Sequence, residues 1–222
     1  MYTPSNEQPV EVQTAGVSLT ADLALPPNRR AIVMFAHGSG SSRKSSRNRF
    51  VAGELQKAGL ATFLLDLLTA EEEQIDLRTR HLRFDIDLLA ERLVGAAAWL
   101  QTRKETAQLP LGLFGASTGG GAALVAAASR PEQVRAVVSR GGRPDLAGSA
   151  LPNVQCPTLL IVGGDDTPVI RMNREAMAQM QGTVDLEIVP GASHLFEEPG
   201  TLEQVAVLAR NWLVEHLRPV HG

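Results

Sequence analysis

The chain of 222 residues contains a single cysteine, Cys156, so no disulfide can form within it. It has no apolar run approaching the length of a membrane span. Strong charge of either sign is also absent. The formal net charge is −3, which gives no electrostatic footprint for nucleic acid or an anionic membrane. The first residues, Met1-Tyr-Thr-Pro-Ser-Asn-Glu-Gln8, lack the basic and apolar regions of a signal peptide, so the expected location is the cytoplasm. No repeat, low-complexity tract or interdomain linker breaks the sequence. One domain over residues 1–222 is expected, with 1–8 a loose N-terminal segment, and 44% hydrophobic residues supply its core.

What the chain does have is Gly115-Ala116-Ser117-Thr118-Gly119, a Gly-x-Ser-x-Gly pentapeptide. The apolar run 111–114 precedes it, and an alanine-rich run suited to a helix, 120–130, follows. The setting is therefore strand, tight turn, helix. In such a turn the serine backbone is strained, and side chains two residues to either side would collide, which requires glycine at both places. The turn lifts the Ser117 hydroxyl clear of the sheet and aims the Thr118 N–H at a nearby oxyanion. Downstream, the apolar run 158–162 reads as a strand buried on both faces, ended by Gly163-Gly164-Asp165-Asp166. A further apolar segment, 184–189, leads into Pro190-Gly191-Ala192-Ser193-His194. Serine, aspartate and histidine thus follow in chain order, each just beyond the carboxyl end of a strand, where open α/β sheets build their sites. Taken singly, the aspartate could simply cap a helix and the histidine could be a solvated loop residue.

Together they suit nucleophilic catalysis. Ser117 is the candidate nucleophile, and His194 the base that takes its proton and later protonates the leaving group. Asp166 is the candidate carboxylate that fixes the imidazole. It fits a Gly-Gly-x-Asp-x-x-Val pattern ending at Val169, whereas Asp165 should point elsewhere. Beside the Thr118 N–H, an oxyanion hole needs a second donor from the loop after the strand 31–36. Ser39 is the first candidate and Gly40 the second. His37 reads as a structural histidine at that strand's end. No cofactor and no metal enter this chemistry.

The rest of the chain supplies the frame. Residues 10–25 read as an antiparallel hairpin with its turn at Gly16. Val51, Leu55 and Ala58 mark a helix stopped at Gly59, and 61–65 is a strand. Leu82, Ile86, Leu89, Leu93, Ala97 and Leu100 trace one amphipathic helix. The segment 134–138 is another strand, and a last helix opens on a capping-box pattern, Thr201-Leu-Glu-Gln204, and runs to Leu217. Only 139–155 separates two strands, too short for a cap domain, so the site should be an open groove roofed by loops 66–80 and 139–150. The run Glu71-Glu72-Glu73 reads as a solvated face, and Cys156 as packing. Arg43, Lys44, Arg47, Arg140 and Arg143 cluster around the site in sequence. They either meet an anionic substrate or fix loops by pairing with Asp145, Asp66 and backbone carbonyls.

These motifs are joined by His37-Gly-Ser-Gly-Ser-Ser-Arg43, Asp66-Leu-Leu-Thr69, Arg83-Phe-Asp-Ile86 and Arg140-Gly-Gly-Arg143. On them the chain, from about residue 10 to its end, resembles a serine-nucleophile, capless subgroup of the dienelactone hydrolase family of α/β-hydrolases. The resemblance implies an α/β fold: a doubly wound, mostly parallel sheet with an N-terminal antiparallel hairpin and no cap domain. It also implies a triad of Ser117, Asp166 and His194 that cleaves small carboxylic esters through an acyl-enzyme. Dienelactone hydrolases proper carry a cysteine nucleophile, and their substrate-carboxylate arginines have no clear counterpart here. Ester hydrolysis is therefore implied, and lactone specificity is not. Lactonase, thioesterase and peptidase variants are neighbouring readings; a non-catalytic member that binds a small ligand in the same pocket is the reading from another class. The expected partner is a small-molecule ester, with no nucleic acid and no membrane, and a homodimer is left open.

Overall fold

The structure, a computed structural model, describes residues 7–218. Strands β1 (Glu7–Thr14) and β2 (Val17–Ala24) form the expected hairpin, in register from Glu7 opposite Ala24 to Thr14 opposite Val17. Its two-residue turn holds Ala15 at φ 47° and Gly16 at φ 76°, the pair of positive values a type I′ turn demands. Of the expected loose segment 1–8, Glu7 and Gln8 are strand residues; 1–6 lie outside the described residues.

Four strands are buried along their whole length: β3 (Ala31–Ala36), β4 (Leu60–Leu65), β5 (Leu111–Ala116) and β7 (Thr158–Gly163). Such continuously apolar strands are stable only where helices cover both faces of the sheet. With β6 (Val134–Arg140) and β8 (Val184–Val189) they complete a sheet ordered β1-β2-β4-β3-β5-β6-β7-β8. Pairing is antiparallel at β1–β2 and β2–β4 and parallel elsewhere. Alternation along β3 splits the core. Ile32 and Met34 face one apolar layer, and Val33 and Phe35 face the other. Helices α3 (Ile86–Gln101), α4 (Thr118–Ser129) and α5 (Thr167–Met177) contribute Leu93, Ala122 and Ala176 to the first layer. Helices α1 (Ser46–Lys57) and α6 (Thr201–His216) contribute Leu55 and Val205 to the second. From β3 the chain crosses through α1 to β4 on one side, and from β5 through α4 to β6 on the other. That reversal opens a crevice at the carboxyl ends of β3 and β5.

Three local expectations need correction. Residues 66–80 are mostly helix α2 (Ala70–Thr79), not loop. The Thr69 hydroxyl accepts the Glu72 N–H at 3.1 Å, and the Glu72 carboxylate accepts the Thr69 N–H at 2.8 Å, a complete capping box. Glu72 is also more than a solvated charge, since it pairs at 2.7 Å with Arg92, which is 3% exposed. Second, Thr201 does not open a capping box. Gly200, at φ 83°, takes the cap position, and the Thr201 hydroxyl donates to the Glu198 carbonyl at 2.7 Å. Third, the helix expected from Leu82 is interrupted. A 3-10 turn, Leu82–Phe84, precedes Asp85, whose carboxylate accepts the Leu88 N–H and caps α3. Between β6 and β7 runs a 3-10 segment, Pro144–Asn153, with no separate cap among the described residues. No helix among them is long and apolar enough to cross a membrane.

Candidate active site

Ser117 sits between β5 and α4 with φ 51° and ψ −122°. For a residue with a side chain this backbone costs about 1–3 kcal/mol, so surrounding contacts must impose it. They do so from two directions. The Ser117 N–H donates to the Arg140 carbonyl at 3.2 Å, and the Ser117 carbonyl accepts the N–H groups of Gly120 and Arg143, each at 3.0 Å. The flanking glycines are a steric necessity. A Cβ on Gly115 would lie 2.5 Å from the Gly119 carbonyl oxygen, and one on Gly119 would lie 2.3 Å from that of Ala36. Thr118 is the first residue of α4, so its N–H lacks an acceptor within the helix.

His194 lies beyond β8, and its Nδ1 is 2.6 Å from Asp166 Oδ2. Asp166 is the residue before α5, and its side chain is 13% exposed. Asp165 is exposed, and its N–H is held by the Ala192 carbonyl at 3.0 Å. The imidazole can therefore meet Asp166 through Nδ1–H and keep the Nε2 lone pair free. Ser117 and His194 line one cavity of about 210 Å³, together with Gly38, Ser39, Arg47, Asn48 and Arg140. Sequence reasoning missed Glu198, whose carboxylate accepts the Ser193 N–H at 3.0 Å and fixes the loop that carries His194. That hydrogen bond holds the Glu198 carboxyl below the ordinary carboxylate range. A glutamate five residues past a serine gives no sequence signal for such a contact.

The segment after β3 is tied down on both sides. Gly38 passes so close to the serine that a Cβ there would be 3.0 Å from Ser117 Cβ. Of the two candidate second donors, Ser39 lines the cavity of Ser117 and His194, and Gly40 lines only a neighbouring one. His37 Nε2 takes the Leu67 N–H at 3.1 Å, and since a backbone N–H only donates, the ring proton must be on Nδ1, which donates to the Gly38 carbonyl at 2.9 Å. Loss of hydration around this ring holds the His37 pKa below its ordinary value. Farther along, the Arg43 guanidinium bonds the Asp66 carboxylate and lies 3.3 Å from Asp22. Lys44 pairs with Asp22 as well, at 2.6 Å. Asp22 is 2% exposed; burial alone would raise its carboxyl, but Lys44 and Arg43 outweigh that and lower it. The ion pairs lock the segment to the N-terminal hairpin.

A neighbouring cavity of about 190 Å³ shares Gly38, Ser39 and Ser41 with the first. Its other walls include Thr118, Leu67, Leu68, Leu77 and Leu89. Helix α2 therefore contributes a wall beside the oxyanion segment, where an unstructured roof was expected. Of the basic residues near the site, Arg43 pairs with Asp66 and Asp22, and Arg143 with Asp145 at 2.7 Å, which is the loop-fixing role. Among the described residues, the one carboxylate that Arg47 meets is that of the exposed Glu197, at 3.3 Å. Arg140 has no carboxylate partner among the described residues. Cys156 is buried, which pushes its thiol up to about 11, and it packs in the core. No three His, Cys, Asp or Glu side chains among the described residues are grouped to hold a metal ion.

The sequence profile of the Dienelactone hydrolase family matches residues 19–213. The crystal structure of a dienelactone hydrolase from Anabaena variabilis is 64% identical, covers 98% of this chain and 100% of that one, and gives a TM-score of 0.95. Est1E from Butyrivibrio proteoclasticus, 15% identical over 94% of this chain and 98% of its own, gives 0.78 and shares the fold. Two Mycobacterium tuberculosis proteins named "Putative phosphoribosyl transferase" are 58% identical over 214 residues. The match takes in 96% of this chain and 47% of theirs, so the chain spans about half the length of the curated relatives it matches.

Proposed function

The chain belongs to the dienelactone hydrolase family, and on that premise we propose that it is a serine hydrolase cleaving small carboxylic esters through an acyl-enzyme. The observation that carries this reading is the cavity that Ser117, on its strained elbow, lines together with His194, itself bonded to Asp166 at 2.6 Å. Nε2 of His194 takes the Ser117 proton as Oγ attacks the ester carbonyl. Negative charge develops on the carbonyl oxygen. The N–H groups of Thr118 and Ser39 are the donors that would meet that charge, Ser39 lining the same cavity as Ser117. Asp166 keeps the imidazole in the Nδ1–H tautomer and stabilises the imidazolium. His194 then protonates the departing alcohol, and water, activated by the same base, releases the acid and restores Ser117.

Hydrolysis of p-nitrophenyl acetate by wild type and by Ser117→Ala tests this. The variant should keep its thermal unfolding transition and lose roughly four orders of magnitude in turnover. A folded wild-type protein without turnover would favour the non-catalytic, ligand-binding reading.

A further inference from the structure

The loop between β8 and α6 carries the proposed base, His194, and its backbone is pinned at one peptide unit, Ala192–Ser193. The carbonyl of that unit accepts the Asp165 N–H at 3.0 Å, and its N–H donates to Glu198 Oε2 at 3.0 Å. A peptide unit is planar, so holding both polar ends fixes the orientation of the plane. The unit also rests on the last residue of β7, where a Cβ on Gly163 would collide with the Ala192 carbonyl oxygen. One end of the plane is thus tied to the turn that carries Asp166. His194 follows directly from the other.

Glu198 reaches this plane because the chain doubles back after His194. Phe196 adopts φ 54°, a left-handed conformation unfavourable for a residue with a side chain. Its ring is buried in the layer of α1 and α6, and its N–H closes a turn onto the Ser193 carbonyl at 3.2 Å. Glu198 is anchored in turn at the start of α6. Its carbonyl accepts the Thr201 N–H at 3.1 Å and the Thr201 hydroxyl at 2.7 Å. The Ser193 N–H holds its carboxyl below the ordinary carboxylate range, so at neutral pH the acceptor is ionised. Hydrogen bonds to an ionised acceptor are the stronger kind.

We propose that Glu198 is a positioning residue for the general base: by holding the Ala192–Ser193 peptide between itself and the Asp165 N–H, its carboxylate sets His194 against Asp166. The inference rests on the hydrolase reading, in which His194 is that base. Glu198 is not among the residues that line the cavity of Ser117 and His194, so its effect reaches the reaction through the loop. What the arrangement maintains is the 2.6 Å contact between His194 Nδ1 and Asp166 Oδ2.

Two substitutions separate the hydrogen bond from the charge. Glu198→Gln keeps an acceptor oxygen at the same reach without the charge, and Glu198→Asp keeps the charge on a side chain one methylene shorter. With p-nitrophenyl acetate, Glu198→Asp and Glu198→Ala should lower kcat roughly tenfold to a hundredfold, the scale for a catalytic group displaced by about 1 Å. KM should stay within about twofold, because the base acts only in the transition state. Glu198→Gln should recover most of the loss, since its carbonyl still accepts the Ser193 N–H. Proton NMR at low temperature adds a readout free of turnover. The Nδ1 proton between His194 and Asp166 should resonate far downfield in wild type and be absent in Asp166→Asn. It should persist in Glu198→Gln and be lost or moved upfield in Glu198→Asp and Glu198→Ala. Thermal unfolding establishes that each variant is folded; should Glu198→Ala not fold, the contrast of Gln with Asp decides alone. A folded Glu198→Asp or Glu198→Ala that keeps either the wild-type kcat or the wild-type resonance overturns the proposal. So does a Glu198→Gln as impaired as Glu198→Asp, and so does a wild-type spectrum without the resonance. If wild type turns over no ester, the hydrolase reading fails instead, and the resonance in the same variants still decides whether Glu198 positions His194.

Discussion

At the carboxyl end of β7 two adjacent aspartates have different surroundings. Asp166 approaches His194 Nδ1 at 2.6 Å, whereas Asp165 is exposed. Asp166→Asn should therefore lower kcat by roughly four orders of magnitude, the scale seen when a triad carboxylate no longer fixes the imidazole tautomer. Asp165→Asn should change it little. Steady-state kinetics on both variants check the order, and the reverse order would reassign the carboxylate. His37 gives a prediction about pH. Its Nε2 accepts a backbone N–H, so protonation would set two donors against each other, and its pKa is lowered in the folded state. A histidine lowered below its unfolded value of about 6.5 contributes stability that is full above that pH and lost as pH falls through the folded value. The gap in thermal midpoint between wild type and His37→Gln should accordingly shrink from about pH 8 to about pH 5. A gap that widens on acidification would contradict the assigned tautomer.

Helix α2 shows what can and cannot be read at the level of elements. The signature Thr69-Ala-Glu-Glu72 was present in the sequence, yet an acidic run with little apolar periodicity reads as solvated loop. Its stabilising contacts are remote: Glu72 to Arg92 at 2.7 Å and Asp76 to Arg83 at 2.5 Å. Thr201-Leu-Glu-Gln204 carries the same signature without the structure, because Gly200 adopts φ 83° and takes the cap position. Glu72→Ala should destabilise the protein by more than about 1 kcal/mol, since it removes the cap and leaves the Arg92 charge buried and unpaired. Gln204→Ala should fall within about 0.5 kcal/mol of wild type. Chemical denaturation of both variants measures the contrast, and equal losses would disprove it. The buried strands, the hairpin and the elbow were legible because sterics and apolar runs act locally. The Glu198 contact to Ser193 and the isolation of Arg140 were not, because each depends on segments brought together only by folding.

For the molecule as a whole, the decisive features are the reversal of winding between β3 and β5, which pair parallel, and the short β6–β7 link. The first gathers Ser117, Asp166, His194 and Ser39 at one edge of the sheet; the second leaves the site without a cap. Binding energy from distant parts of a substrate lowers the barrier only where protein surrounds those parts. Cavities of about 190 and 210 Å³ enclose a small ester and little more. Across a series of p-nitrophenyl esters, kcat/KM should thus be highest for short acyl chains; an optimum at long chains would require a tunnel that the described residues do not form. The central claim, that Ser117 is the nucleophile, is tested most directly by covalent trapping. Wild-type protein treated with a fluorophosphonate should gain the mass of one adduct per chain, mapped to the peptide containing Ser117, and Ser117→Ala should gain none. Adduct formation that persists in Ser117→Ala, or ester turnover without any adduct in wild type, would contradict the account.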